Sequence, residues 1–389
     1  MDLSFNDDQK QLQDALAKYI ERDYGFERRR GYQSAAEGFS REVWAQFAEM
    51  GLLCLPFAEA DGGLGGGAAE MLVVMTAIGD ALMVEPYLAT VVLAGGAIAR
   101  AGSSAQKAEL LGGIAEGKLI AAAAFEEPGA RFNLAHVATT ARKAGAEYLL
   151  SGSKAVVLHG GQADRLVVSA RTSGKVADEK GISLFVVDRK ARGVSVRDYR
   201  TIDGLRAADI TFDGVRVPAD ALLANTENAE GAAFDSIDAV ADAGVAALCA
   251  EAVGVMESLN RQTLEYIKGR QQFGVPIGSF QVLQHRAVDM FMHAEQCKSM
   301  AYLAAIKAPV VGHSVGEAAS IKERRRAVSA AKVHIGNSGR VVAQDAIQMH
   351  GGMGMTNELA ASHYAKRLTM IDFVLGDSAH HLSRFEAAA

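Results

Sequence analysis

An α+β chain in three successive parts is what this sequence predicts: a helical N-terminal domain, a central antiparallel β-domain of barrel or sandwich type, and a C-terminal four-helix bundle. Three observations carry that reading. Over residues 1–115, apolar residues recur at helical spacing, as in Leu12, Leu16, Tyr19 and Ile20, and again in Val43, Trp44, Phe47 and Met50. Over residues 116–225, short alternating or β-branched runs are cut by turn signals, namely Glu127-Pro128-Gly129, Ser151-Gly152, Gly160-Gly161 and Asp213-Gly214. Over residues 226–389 the helical period returns, in Ala-rich runs at 239–255 and 327–342 whose small side chains let helices approach closely.

Within the N-terminal part, Asn6 ahead of Asp7 and Asp8 marks a helix start, because the capping oxygen and the acidic side chains suit the positive end of the helix dipole. The glycine-rich stretch at 61–67, DGGLGGG, lacks the Lys-Ser/Thr pair of a phosphate-cradling loop and reads as a flexible connector.

Composition removes several classes of function. A chain of 389 residues with 49% hydrophobic content can bury a large core and is not disordered. A net charge of −6 argues against nucleic acid as the main partner. The one basic run, Lys322-Glu323-Arg324-Arg325-Arg326, has no aromatic interleaving and is expected as a solvated helix start. Cys54, Cys249 and Cys297 stand singly in apolar surroundings, so they suggest reduced, buried thiols and neither a metal site nor a disulfide framework. The N-terminus has no basic and apolar leader, and the most apolar stretch, 87–99, is too short for a bilayer and ends at Arg100. A soluble, cytoplasmic protein without a membrane partner is expected.

Two stretches carry chemistry. Residues 266–285 read YIKGRQQFGVPIGSFQVLQH. They are expected as a helix that stops at Gly274 and restarts after Pro276. Arg270 offers a planar fork of donors matched to phosphate oxygens, Phe273 and Phe280 offer flat apolar walls, and Gln281 is expected as a buried amide. The second stretch, Gln348-Met-His-Gly-Gly-Met-Gly-Met355, holds two adjacent glycines that allow close approach of backbone to a ligand. Alone, such runs are more often the surface and core of an ordinary helix pair.

Together with the domain order, the Glu127-Pro128-Gly129 turn and the stretch at 51–65 (GLLCLPFAEADGGLG), these motifs resemble the acyl-CoA dehydrogenases over essentially the whole chain. Residues 368–382 (LTMIDFVLGDSAHHL) look like the small-subunit branch associated with pimeloyl-CoA and steroid side-chain substrates. The resemblance implies the acyl-CoA dehydrogenase fold, FAD as cofactor, an acyl-CoA substrate and an electron-transfer flavoprotein as electron acceptor. It implies that FAD lies between β-domain and bundle, while the neighbouring subunit reaches its pyrophosphate and adenosine end. That neighbour's contribution maps onto Arg270, Phe273, Gln281, Gln348, Gly351 and Gly352.

Against the same pattern, other positions depart. The family's Glu base falls on Leu375, which cannot accept a proton. The alternative base position falls on Gly244, and an Arg beside it on Val245. The Trp-Ile-Thr that flanks the flavin ring is Val156-Val157-Leu158, and the Gly-Ser that holds the pyrophosphate is Arg131-Phe132. Glu126 stands where a Thr is usual, bringing a charge that repels phosphate. No catalytic residue is therefore assigned to this chain. It is expected to be one half of a heteromeric α2β2 enzyme whose paralogous subunit supplies the base. A self-sufficient homotetramer using Asp372, Asp242 or Glu251 as base, and a non-catalytic CoA-ligand scaffold, are the alternatives. Asp377 is expected to start a helix, adjacent His380 and His381 to face different ways without a metal, and His159 to be solvated at a turn.

Overall fold

The computed structural model describes residues 5–225, 229–311 and 320–388. The N-terminal layer holds α1 (Asp7–Asp23), α2 (Phe26–Ser34), α3 (Arg41–Glu49), α4 (Ala68–Ala81), a π-helical stretch at Leu88–Gly95 that runs into α5 (Gly96–Ala101), and α6 (Ser104–Ala115). Asn6 caps α1 in a reciprocal box with Gln9, satisfying two otherwise unpaired amides. The loop at 61–67 is pinned rather than free. Gly65 and Gly66 donate to Phe57 and Leu55 carbonyls at 2.8 and 2.7 Å, and a Cβ on Gly63 would lie 2.0 Å from the Phe57 carbonyl oxygen.

The middle layer contains β1 (Ala121–Ala124), β2 (Thr140–Ala144), β3 (Glu147–Leu158), β4 (Arg165–Arg171), β5 (Ile182–Asp188), β6 (Val194–Arg200), β7 (Arg206–Pro218) and β8 (Leu222–Leu223). The strand order is β6-β7-β3-β2-β4-β5-β8, with β1 beside β4. Pairing is antiparallel except for β1 with β4 and the single contact Thr140 to Arg171 between β2 and β4. The Glu127 turn is anchored inward: its carboxylate accepts from Lys154 Nζ at 2.7 Å and from the Thr139 amide at 3.0 Å. Burial pulls the Lys154 ammonium down to about 8, against the attraction of Glu127.

The last layer is α7 (Phe234–Gly269), α8 (Gln281–Lys307), α9 (Ile321–His350), α10 (Ala360–Phe373) and α11 (Ser378–Ala387). Small residues do the close packing the sequence suggests. A Cβ on Gly79 of α4 would lie 2.0 Å from the Glu251 carbonyl oxygen, and one on Gly254 of α7 would lie 2.0 Å from that of Thr76. Helices α4 and α7 thus meet backbone to backbone. Helix α7 is long and apolar enough to cross a membrane, but its apolar window is wholly buried inside the protein.

The bundle and the β-domain are clamped at one buried cation. Arg367 of α10 grips Glu251 of α7 with two bonds of 2.5 and 2.8 Å and reaches Asp203, beyond β6, at 2.8 Å. The basic run at 322–326 departs from expectation in one respect. It does open α9, with Ser320 as cap, but Arg324 is buried and paired with Asp238 and Asp242. Arg384 of α11 joins the same two carboxylates. Two buried aspartates on α7 required these cations, a partnership between segments more than eighty residues apart that local composition does not signal.

Candidate functional site

The two motif stretches come together on the outer face of the bundle. Helix α7 ends at Gly269, not Gly274. Arg270 follows it in extended conformation, and a small hairpin forms from β9 (Gln271–Gln272) and β10 (Val275–Pro276) before α8 begins at Gln281. Phe273 and Gly274 turn the hairpin at φ values of 55° and 80°. Tyr266 joins this segment to the glycine loop: its hydroxyl donates to the His350 carbonyl at 3.3 Å, and the two rings lie 4.4 Å apart.

All six residues of the nucleotide-type motif lie on the surface. Gln281 is exposed, not buried, because it opens α8 rather than closing a core. Phe273 is 91% exposed, with only the edge of Phe280 beside it at 6.1 Å. The side chains of Arg270, Gln281 and Gln348 have no hydrogen-bond or ion-pair partner among the described residues. Gly351 ends α9 at φ 60°, ψ −143°, a conformation that favours glycine. Gly352 has ordinary backbone and open space where a Cβ would stand, so nothing in this chain's own packing requires a glycine there.

The second region is the cleft between β-domain and bundle, where a cavity of about 220 Å³ remains. Leu375 and Val245 line it, with Glu126 and Phe132 on the β-domain side. A Cβ on Gly244 would lie 2.6 Å from Leu375 Cδ1 and 2.7 Å from Leu93 Cδ2. The two base positions named by the resemblance therefore touch, and leucine methyl groups fill the space between them. Phe132 packs its ring 5.6 Å from that of His380, bridging the mouth from β-domain to α11. Burial pushes the Glu126 carboxyl up to about 7, opposed only by the Lys332 ammonium. Lys332 is fully buried and donates to the Ile371 and Val374 carbonyls at 2.5 and 2.6 Å, fixing the turn that carries Leu375. Nothing in the local sequence pointed to that lysine.

The alternative bases are all engaged. Asp372 accepts from the Ser378 hydroxyl at 2.7 Å and from Arg340 at 3.2 Å, lies against Gly336 of α9, and does not line the cavity. Asp242 is paired with Arg324 and Arg384, and Glu251 with Arg367. Asp377 caps α11 by accepting from the His380 amide at 2.8 Å. Among the described residues no cluster of side chains could hold a metal. His159 is buried, not solvated; it packs against Phe39, and burial beside Arg206 and Arg367 pulls its imidazolium down to about 4. Cys249 and Cys297 are buried free thiols, whereas Cys54 is partly exposed.

A helical layer, a β-domain with a Glu-Pro-Gly turn and a bundle carrying an outward Arg/Phe/Gln/Gly-Gly face define a flavoprotein dehydrogenase architecture, and direct comparison bears this out. Family models for the acyl-CoA dehydrogenase N-terminal, middle and C-terminal domains match residues 6–118, 122–215 and 235–388. The chain belongs to the acyl-CoA dehydrogenase family, FAD-dependent oxidoreductases acting on acyl-CoA thioesters. It is 29% identical over 382 residues to acyl-CoA dehydrogenase FadE12 of Mycobacterium tuberculosis, covering 95% of this chain and 94% of that one. Among solved structures it is similar to the Tcur3481-Tcur3483 steroid acyl-CoA dehydrogenase, with a TM-score of 0.83, 26% identity and coverage of 98% and 97%. The ChsE4-ChsE5 complex from Mycobacterium tuberculosis shares its fold, with a TM-score of 0.83, 24% identity and coverage of 100% and 98%.

Proposed function

We propose that this chain is the non-base-bearing subunit of a heteromeric α2β2 acyl-CoA dehydrogenase, acting in α,β-dehydrogenation of an acyl-CoA thioester at a flavin held largely by a paralogous subunit. The observation that carries this is the contrast at glycine and leucine. Gly352 is free of any packing demand on an exposed loop, whereas Leu375 lies against Gly244, the alternative base position that the family resemblance names. A surface kept for its own fold would not need the first, and a working cleft would not tolerate the second.

On the donating side, Arg270 offsets pyrophosphate charge with its fork of donors. Gln281 and Gln348 offer amides, Phe273 an aromatic face, and Gly351-Gly352 a backbone that a ribose or phosphate can approach closely. FAD held there would supply the hydride acceptor for the β-carbon of the thioester. The residues of this chain's own cleft do not fit that group. Phe132 has no hydrogen bond to give a pyrophosphate, Glu126 brings a carboxyl to an anion's place, and Leu375 takes no proton. The α-proton is then removed by a carboxylate of the paralogous subunit. The two-name complexes among the similar structures are compatible with such pairing. An electron-transfer flavoprotein as acceptor, a cytoplasmic location and domains at 1–115, 116–225 and 226–389 complete the proposal.

Co-expression tests it. This chain purified alone should be colourless and inactive, and the pair with its paralogous subunit should be yellow and oxidise an acyl-CoA. Stoichiometric flavin and activity in this chain alone would sink the proposal and return attention to Asp372, whose replacement by Asn would then have to abolish turnover.

A further inference from the structure

The outer face is tied together by one contact between segments distant in sequence. Tyr266 lies in the last turn of α7, and His350 is the last residue of α9. The Tyr266 hydroxyl donates to the His350 carbonyl, a group that the end of a helix leaves without an intrahelical partner. The two rings lie 4.4 Å apart at an interplanar angle of 32°, close enough to pack against each other. His350 is held in turn by its own helix: its Nδ1–H donates to the Ala346 carbonyl at 2.8 Å, and the residue is 4% exposed. The loop then folds back over it. A Cβ on Gly354 would lie 2.9 Å from His350 Cβ, so a third glycine leaves room for this packing.

The same tyrosine reaches Arg270 through the backbone. Its carbonyl accepts from the Arg270 amide at 2.8 Å, and the Arg270 carbonyl accepts from the Ile277 amide at 2.8 Å, which closes the β9–β10 hairpin. Both backbone polar groups of Arg270 are thereby bonded, and its φ of −74° and ψ of 123° are set from either side. At the other end, Gly351 follows His350 directly, with its amide on the Gln348 carbonyl. A continuous line of contacts therefore runs from Arg270 through Tyr266 and His350 to Gly351. Its two ends, Arg270 and Gly351-Gly352, are exposed, whereas Tyr266 and His350 between them are packed.

We propose that Tyr266 and His350 are a positioning pair: they hold the Arg270 backbone and the Gly351-Gly352 backbone at one fixed separation, so that a single dinucleotide is gripped at two points along its length. This rests on the reading that a neighbour's flavin reaches this face, and it adds the residues that make two motifs one site. Preset spacing raises affinity because less freedom is lost on binding. The pair acts through Arg270 and the glycines, without itself touching the dinucleotide.

FAD titration of the assembled pair, followed by flavin fluorescence, tests this through a double-mutant cycle. Tyr266→Leu removes ring and hydroxyl and should weaken FAD binding about tenfold, while Tyr266→Phe keeps the ring contact and should cost about threefold. In an Arg270→Ala background, Tyr266→Leu should cost at most about threefold, because the group it positions is gone. An equal loss in both backgrounds, or no loss with Tyr266→Leu, overturns the proposal. If Arg270→Ala alone leaves the affinity unchanged, the reading beneath the proposal falls and takes the proposal with it. A second arm needs no flavin: in this chain alone, Tyr266→Leu should speed hydrogen exchange at the Ile277 and Gly351 amides, and unchanged protection counts against the link. If Tyr266→Leu does not fold, Tyr266→Phe takes its place in the cycle with Arg270→Ala, and strict additivity there overturns the proposal.

Discussion

The outer face around Arg270 and the cleft around Leu375 are built from opposite materials. On the outer face, Arg270, Gln281 and Gln348 stand in solvent without hydrogen-bond or ion-pair partners among the described residues, and Phe273 is 91% exposed. Inside, Asp242, Asp372 and Glu251, the three carboxylates considered as alternative bases, are paired, and methyl groups of Leu375 and Leu93 fill the space beside Gly244. Buried charges are as a rule matched, because an unpaired one is costly to desolvate. The contrast teaches that one polypeptide can hold an open, unpartnered polar face and an interior whose charges are matched within the fold.

Variants can break or sharpen that contrast. The largest effect is expected inside: Arg367→Ala strands the buried Glu251 and Asp203 carboxylates and should cost about 3–5 kcal/mol of stability, read as a lowered urea midpoint. Arg270→Ala should do the reverse. Stability of the chain should stay within about 0.5 kcal/mol, as for other surface changes. Flavin affinity of the assembled pair should fall by about ten- to a hundredfold, the worth of a charge-assisted fork, measured by fluorescence titration. Equal flavin retention would remove Arg270 from the site.

Smaller effects sharpen the picture of the cleft. The Glu126 carboxyl is raised to about 7 from an ordinary value near 4.5, so the folded state binds the extra proton between those limits. Stability therefore declines as pH climbs from 4.5 to 7. Glu126→Gln should flatten that slope and gain on the wild type by about 1–3 kcal/mol at pH 7, followed by denaturation across pH. The smallest effect belongs to Leu375→Ala: turnover of the assembled pair should be unchanged, since no proton passes through this position. A large loss of kcat would place the reaction in this cleft after all.

Much of this was legible in the residues, and the reasons are specific. Helical spacing at Leu12, Leu16 and Tyr19, the cap at Asn6 and the turn at Glu127 are local signals, and each forms where it was read. The family pattern covers the chain because its motifs are short and contiguous. Burial was harder. His159 sits at a turn, as expected, yet Phe39 and the helical layers cover it, and only tertiary packing decides that. Gln281 was expected as a buried amide on a helix that restarts after Pro276, but α8 begins only at Gln281, which leaves that side chain exposed in its first turn. Arg324 belonged to a run that composition assigns to solvent, until two aspartates eighty residues away claimed it. The contact between Gly244 and Leu375 is likewise long-range, although both positions had been singled out for what they lack.

Helix α7 spans Phe234–Gly269 without a break, and Arg270 follows its last residue. At about 1.5 Å of rise per residue, it sets the arginine roughly 40 Å from Gly244. Few structures are as stiff as a single buried helix of that length. It acts as a ruler: the distance from Gly244 in the cleft to Arg270 on the outer face is fixed by a count of peptide units, and inserting or deleting one would swing the arginine by about a hundred degrees.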